Sequence, residues 1–296
     1  SYPERLFTHL LLKLLKPTFP HIISKYCYHL HGPSMGVKKA IEHVVSAVQK
    51  GTYHYVIRID IRTYYASIRH DILCSQIYKT FDDPRILHYL TQMVTIAIES
   101  GGTFSLPTQG IPRRSSLSPF LGALYLDPLD RAFEHAKGIV YARYMDDVVF
   151  LIQTKRQYKR ARKKLFNILE ALKLELSPRK TYMGSLKHSF HFLGIQVNVS
   201  RNPLTKIHKT TVSMHHRTCR RAQDRIRAMK ENAQHAATIQ RYLSRWSKWW
   251  SGSVVSFTPY YCLYAWLRYN NPREPSWSWF ARGLLSLSYG RLLTIV

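Results

Sequence analysis

The spacing of apolar residues along the chain alternates between helical and strand periods. Ile41, Val44, Val45 and Val48 recur at i, i+3, i+4 and i+7, one stripe of a helix. Gly32, Pro33 and Gly36 break the chain just ahead of it. Residues 1–50 read as helical apart from this break. They include an amphipathic stretch in which Leu10, Leu11, Leu12, Leu14 and Leu15 are interrupted by Lys13 and Lys16. Tyr53 to Ile61 alternates and is β-branched, which predicts a strand. Ser67 to Tyr78 and Pro84 to Glu99 read as helices. Gly101-Gly102 ends the second and opens a loop that runs to Pro119. Phe120 to Ala136 reads as one helix. Val140 to Gln153 reads as a β-hairpin whose turn holds Tyr144-Met145-Asp146-Asp147. Tyr158 to Leu172 is a strongly basic amphipathic helix, and Phe190 to Val199 a second short hairpin. The mixture predicts an α+β fold.

Charge narrows the partners. The chain of 296 residues carries 44 Lys and Arg against 17 Asp and Glu, a formal charge of +27. An excess of this size on a chain apolar enough to build a core points to a polyanion, nucleic acid first. No run of about 18 apolar residues predicts a transmembrane helix, and the leucine-rich stretch near the start lacks a signal-peptide cleavage site. Four scattered cysteines, Cys27, Cys74, Cys219 and Cys262, fit a reducing cytoplasm. His215, His216 and Cys219 lie together, but nothing downstream completes a metal site. After about residue 200 the composition becomes more basic, with 16 Lys and Arg against three acids, and richer in aromatics. A boundary near 205 follows, with residues 1–205 in one domain and a helical, basic 206–296 in another. There Arg217, Arg221 and Arg225 form one stripe, and Arg241, Arg245 and Lys248 a second. Stripes of this kind track a phosphate backbone. Trp246, Trp249 and Trp250 pack the helices or stack on bases. The basic run Lys155–Lys164 faces solvent in part and suits an RNA or another partner.

Because acids are scarce, their positions are informative. Asp60 ends the apolar strand Tyr55-Val56-Ile57-Arg58-Ile59-Asp60, and Asp146 and Asp147 sit in a hairpin turn. An Asp-Asp pair also makes an ordinary turn. Carboxylates held on strand ends suit Mg²⁺, which takes one or two of them plus waters and substrate phosphates.

The surrounding blocks resolve that choice. Tyr144-Met145-Asp146-Asp147 resembles the catalytic tetrad of reverse transcriptases, and other blocks follow that family's order. Asp60-Ile61-Arg62-Thr63-Tyr64-Tyr65-Ala66-Ser67-Ile68 resembles the first palm motif. Gly110-Ile111-Pro112 with Ser118-Pro119 resembles the second. Leu176-Ser177-Pro178-Arg179-Lys180-Thr181 is similar to the lysine-bearing block, and Phe192-Leu193-Gly194 to the primer-grip hairpin. The likeness spans about residues 30–200 and is nearest to bacterial enzymes of group II intron-like, retron-like and standalone, defence-associated types.

The resemblance implies a right-hand polymerase fold of fingers, palm and helical thumb, and RNA-directed DNA synthesis. Asp60, Asp146 and Asp147 would bind two Mg²⁺ ions, with Mn²⁺ as a substitute, Asp147 being the less direct ligand. The carbonyl of Ile61 would assist, and Lys180 would protonate the leaving pyrophosphate. Arg62, Thr63, Tyr64, Arg113, Lys38 and Lys39 would contact the incoming dNTP, and Tyr65 would exclude a 2′-hydroxyl. Tyr144, Met145 and the Phe192–Gly194 hairpin would touch primer and template. In the second palm motif, Arg113 and Arg114 stand where many relatives carry Gln and Gly. Implied partners are an RNA template, a DNA or RNA primer and dNTPs, and further a dedicated non-coding RNA and a companion protein. No RNase H, integrase or Cys/His endonuclease segment is recognisable after the thumb, so polymerisation without cleavage is expected of this chain if it is complete. Two rival readings are a primer- or template-independent DNA synthesiser and a maturase-like RNA-binding protein with an idle palm.

Overall fold

The computed structural model describes residues 2–251 apart from 33–34, 97, 101, 114, 202–207 and 233–235. The chain forms two compact units, Ser1–Leu186 and Lys187–Val296. The first opens with helices α1 (Tyr2–Leu15), α2 (Phe19–Ile22) and α3 (Val37–Gln49), followed by strand β1 (Tyr55–Asp60). Helices α4 (Tyr64–Ser67), α5 (His70–Thr80) and α6 (Pro84–Val94) follow, then a hairpin of β2 (Ile98–Ser100) and β3 (Thr103–Ser105). Next come α7 (Ser118–Tyr125), α8 (Asp127–Phe133), β4 (Ile139–Tyr144), β5 (Asp147–Ile152), α9 (Lys155–Ala171) and β6 (Tyr182–Ser185).

The site rests on an antiparallel sheet of order β4-β5-β1-β6. Consecutive residues of β1 and β5 are buried from Val56 to Ile59 and from Val148 to Ile152, so both faces of these strands are covered. Helix α3 packs on β4 and β5, and α9 on β1 and β5. Ile57, Ile59, Phe150 and Ile152 join Phe120, Leu124, Phe133 and Leu165 in one apolar core.

Several expectations for this unit give way. The helix expected over Pro84–Glu99 ends at Val94, with Glu99 in β2, and the described residues between α2 and α3 are not helical. The segment Phe120–Ala136 is two helices, because Pro128 in the first turn of α8 has no N–H to continue the ladder. The stretch from Gly102 to Pro119 is not loop alone, since Thr103–Ser105 forms β3 and pairs with β2. Gly102, with φ +82°, supplies the left-handed conformation a tight turn needs.

The second unit is a meander of β7 (Phe190–Phe192), β8 (Ile195–Arg201) and β9 (His208–Met214), then α10 (His216–Glu231) and α11 (Ala236–Ser251). The unit starts at Lys187, ahead of the compositional shift, because β8 pairs onward with β9. β9 is a strand in a region whose composition suggested helix. Ala222, Ile226 and Met229 form the buried stripe of α10, while Arg217, Arg221 and Arg225 are exposed. In α11, Ile239 and Leu243 are buried and Arg241 and Arg245 exposed. Arg114, the side chain of Lys248 and the aromatic cluster from Trp249 onward lie outside the described residues.

Candidate active site

Strand pairing brings the acids together. In the β1–β5 register Asp60 lies opposite Asp147, and the β4–β5 hairpin closes with Tyr144 opposite Asp147. Met145 and Asp146 are the two turn residues. A hydrophobic strand on either side holds them at one end of the sheet.

A cleft of about 450 Å³ opens there. Asp60, Ile61, Arg62, Thr63, Tyr64, Tyr65, Arg113, Asp146, Ser177 and Lys180 line it. Lys180 Nζ lies 3.0 and 3.2 Å from the two carboxylate oxygens of Asp60. The Asp146 carboxyl is pushed above the usual range by burial, and the nearby Asp60 charge adds to the rise. Asp147 is engaged elsewhere. Arg58, 5% exposed, forks its carboxylate with Nε 3.1 Å and Nη2 3.3 Å away, and also donates to the Lys180 carbonyl.

Tyr64 and Tyr65 sit on the short helix α4. Tyr64 is buried and donates its hydroxyl to the Gly122 carbonyl. Tyr65 is half-buried, and desolvation, with the Asp146 charge adding to it, raises its hydroxyl pKa. A Cβ at Gly122 would stand 3.2 Å from the rings of both tyrosines. A side chain at this position of α7 would press on both rings.

The tetrad turn is strained and clamped. Met145 takes φ +55° at the first central position, where two-residue turns of this kind usually carry Gly. Its N–H donates to His29 Nδ1 at 3.1 Å, and its carbonyl accepts from Arg143 Nη1 at 3.2 Å. Arg143 is fully buried. Its Nε lies 2.7 Å from Asp130 Oδ1, its Nη2 donates to Asp130 Oδ2, and the Tyr141 hydroxyl donates to the same carboxylate. Burial, with the Arg143 charge adding to it, lowers His29 to about 3, so the ring is neutral and can accept. Thr63 (φ +45°) and Leu193 (φ +47°) are strained in the same way. With Met145 they make three of the four non-glycine residues at positive φ among those described, and all three lie in the blocks singled out by sequence.

Other predicted residues lie elsewhere. Lys38 and Lys39 are exposed on α3, Lys39 pairing with Glu42 at 2.8 Å, and neither lines the cleft. Arg62 lines the cleft while its guanidinium meets Glu175 at 3.4 Å. Phe192, Leu193 and Gly194 form the β7–β8 turn, with Phe192 fully buried and both turn residues at positive φ.

Sequence reasoning did not single out Arg58, His29, Asp130, Arg143, Gly122 or Ser177. For the two arginines a signal was present, since a cation inside an apolar strand must find a carboxylate.

Residues 5–197 match the model of the reverse transcriptase (RNA-dependent DNA polymerase) family. The chain belongs to that family, whose chemistry is nucleotidyl transfer and whose members use divalent metal ions. Among curated proteins, Protein YkfC of Escherichia coli K12 is 23% identical over 174 residues, covering 47% of this chain and 46% of YkfC. Among solved structures, telomerase from Candida albicans in complex with a TWJ fragment of telomeric RNA aligns with a TM-score of 0.52 at 13% identity. That alignment covers 72% of this chain and 38% of the telomerase. Apo telomerase from Candida tropicalis, truncated from its C-terminal domain, aligns with a TM-score of 0.47 at 16% identity, over 70% of this chain and 45% of that one. The Candida albicans likeness is one of fold, the right-hand polymerase fold of α+β type. The chain spans less than half the length of each of these three relatives.

Proposed function

We propose that this chain is an RNA-directed DNA polymerase that adds dNTPs to a primer 3′-hydroxyl in the cleft above Asp60 and Asp146. The observation that carries the reading is the convergence of those two carboxylates with Lys180, Tyr65 and Arg113 around one space.

The donor set fits Mg²⁺. The cleft offers oxygen donors, the Asp60 and Asp146 carboxylates beside Ile61. Among the described residues no group of three or more His, Cys, Asp and Glu side chains could hold an ion by itself. Two carboxylates completed by substrate phosphates are the usual Mg²⁺ arrangement. Burial and like charge already disfavour ionised Asp146, and a cation relieves both. Asp60 and Asp146 would hold the ions, with Mn²⁺ as a substitute, and Asp147 would contribute only on release from Arg58. Bound there, divalent ions activate the 3′-hydroxyl and neutralise charge on the triphosphate.

The remaining roles belong to the chain's own groups. Lys180, 52% exposed beside Asp60, is placed to give a proton to the departing pyrophosphate. Arg113 and Arg62 bring positive charge to the triphosphate. The Tyr65 ring, fixed between Gly122 and the cleft, excludes a 2′-hydroxyl. The arginine stripes of α10 and α11 suit the thumb's hold on the template–primer duplex. No helix among the described residues is long and apolar enough to cross a membrane, and work in the cytoplasm accords with that. The bacterial subtype, a dedicated non-coding RNA template, a companion protein and a part in phage defence are supported by the resemblance of the five blocks to small bacterial enzymes. Sequencing RNA that co-purifies with the protein tests the template.

The test of the reaction is dNTP incorporation on a primed RNA with Mg²⁺, with Asp60→Asn and Asp146→Asn as comparisons. Incorporation should fall to background in both variants and in wild type treated with a chelator. Unchanged incorporation in either variant refutes the site.

A further inference from the structure

We propose that the exposed face of α9 is a docking surface for single-stranded RNA, taking the part of a template that lies outside the cleft. The inference rests on the polymerase reading for the identity of the strand and on α9 itself for the surface.

Seven cations occupy the first ten residues of this helix: Lys155, Arg156, Lys159, Arg160, Arg162, Lys163 and Lys164. All are exposed, and no acid lies among them. Among the described residues, no carboxylate forms an ion pair with any of the seven. The opposite face, Ala161, Leu165 and Leu169, is buried in the core, and Tyr158 stacks on Tyr55 at 5.1 Å. The helix is therefore a fixed platform, begun by a capping box of Thr154 and Gln157.

For folding, this arrangement is unfavourable. Lys155/Lys159, Arg156/Arg160, Lys159/Lys163 and Arg160/Lys164 are like-charge pairs at i, i+4, each of which destabilises a helix. Lys155 and Arg156 also place positive charge at the positive end of the helix dipole, where acids are preferred and none is present. A phosphate backbone reverses both effects. The face suits a polyanion at some expense in stability.

The position separates it from the reaction. β5 runs from Asp147 at the cleft to Ile152, and α9 begins three residues later, at the far end of the sheet. A recess of about 150 Å³ lies beside the cations, floored by Phe133, Ala136 and Ile139 and rimmed by Arg160 and Lys164. An apolar floor with a cationic rim favours an unpaired base flanked by phosphates over a duplex.

The experiment uses the full chain and the variant Lys155→Gln/Lys159→Gln/Arg160→Gln/Lys163→Gln. Binding is measured against a minimal RNA–DNA duplex and against the same duplex with a 30-nucleotide unpaired RNA extension. The wild type should prefer the extended substrate. The variant should lose about tenfold in affinity for it at 0.1 M salt, and its log–log salt slope should fall by about 2 to 3. Its affinity for the minimal duplex and its dNTP incorporation there should be unchanged, and its Tm equal to or above wild type. Equal affinity of wild type for the two substrates overturns the proposal, as does an equal loss on both or no loss on the extended one. If wild type incorporates no dNTP while the extension-dependent difference persists, the polymerase reading fails and the docking surface stands.

Discussion

Replacing Asp130 with Leu removes both oxygens that hold Arg143 and the acceptor of the Tyr141 hydroxyl, leaving a guanidinium with no solvent exposure. A charge stranded in this way costs about 3–5 kcal/mol, a large part of the roughly 5–15 kcal/mol that keeps a domain folded. The triple variant Asp130→Leu/Tyr141→Phe/Arg143→Met removes the stranded charge and the orphaned hydroxyl together. Apolar replacement of a buried ion pair is often neutral, so its stability should return to within about 2 kcal/mol of wild type. The turn does not recover with it. Met145 loses the donor to its carbonyl, a bond from a charged group worth about 1.5–3 kcal/mol. Its positive φ, costing about 1–3 kcal/mol, is then held only by His29. If the Asp146 carboxylate moves with the turn, dNTP incorporation falls about 10- to 100-fold, at about 1.4 kcal/mol per factor of ten. Urea unfolding and single-turnover incorporation on a primed RNA measure the two effects separately. A triple variant that is both stable and fully active refutes the positioning role of Arg143. An Asp130→Leu protein with the wild-type urea midpoint refutes the energetics.

Three further outcomes are expected. Gly122→Ala should press on both tyrosine rings and shift Tyr65, raising the ratio of ribonucleotide to deoxynucleotide incorporation several-fold; an unchanged ratio counts against Tyr65 as the gate. Lys180→Met should lower kcat about 100-fold or more with little change in dNTP affinity, and a loss confined to KM would mean that the lysine only binds. Protonation of His29 near 6.5 in the unfolded chain and about 3 in the folded one means that the unfolded state binds more protons between these values. Stability should therefore fall as pH drops below 6.5, by at most about 1.4 kcal/mol per unit. His29→Gln should flatten that slope between pH 7 and 5, and identical slopes in the two proteins would show that His29 is not its source.

What the sequence determined by itself was local or nearly so. The apolar stretch ending at Asp60 and the hairpin around Asp146 and Asp147 are set by residues within a few positions of each other, where side-chain period and turn chemistry decide the conformation. The resemblance of the motif blocks to reverse transcriptases implied one site for Asp60, Tyr65, Arg113, Asp146 and Lys180, and these residues line one cleft. The break at Pro128 was also present as a residue type, although the apolar periodicity across it suggested a single helix.

The tertiary structure decided which charges meet. Asp147 faces Arg58 across 89 residues of chain, and His29 reaches Met145 across 116. No window of sequence contains both partners of either contact. Burial sets their weight: a solvated Arg143 would need no particular carboxylate, whereas one enclosed between β4 and α8 needs Asp130, and through it steadies the strained turn beside Asp146. Lys38 and Lys39 show the converse. Their sequence position suggested the nucleotide, but α3 leaves them exposed and away from the cleft, because its apolar stripe must face the sheet.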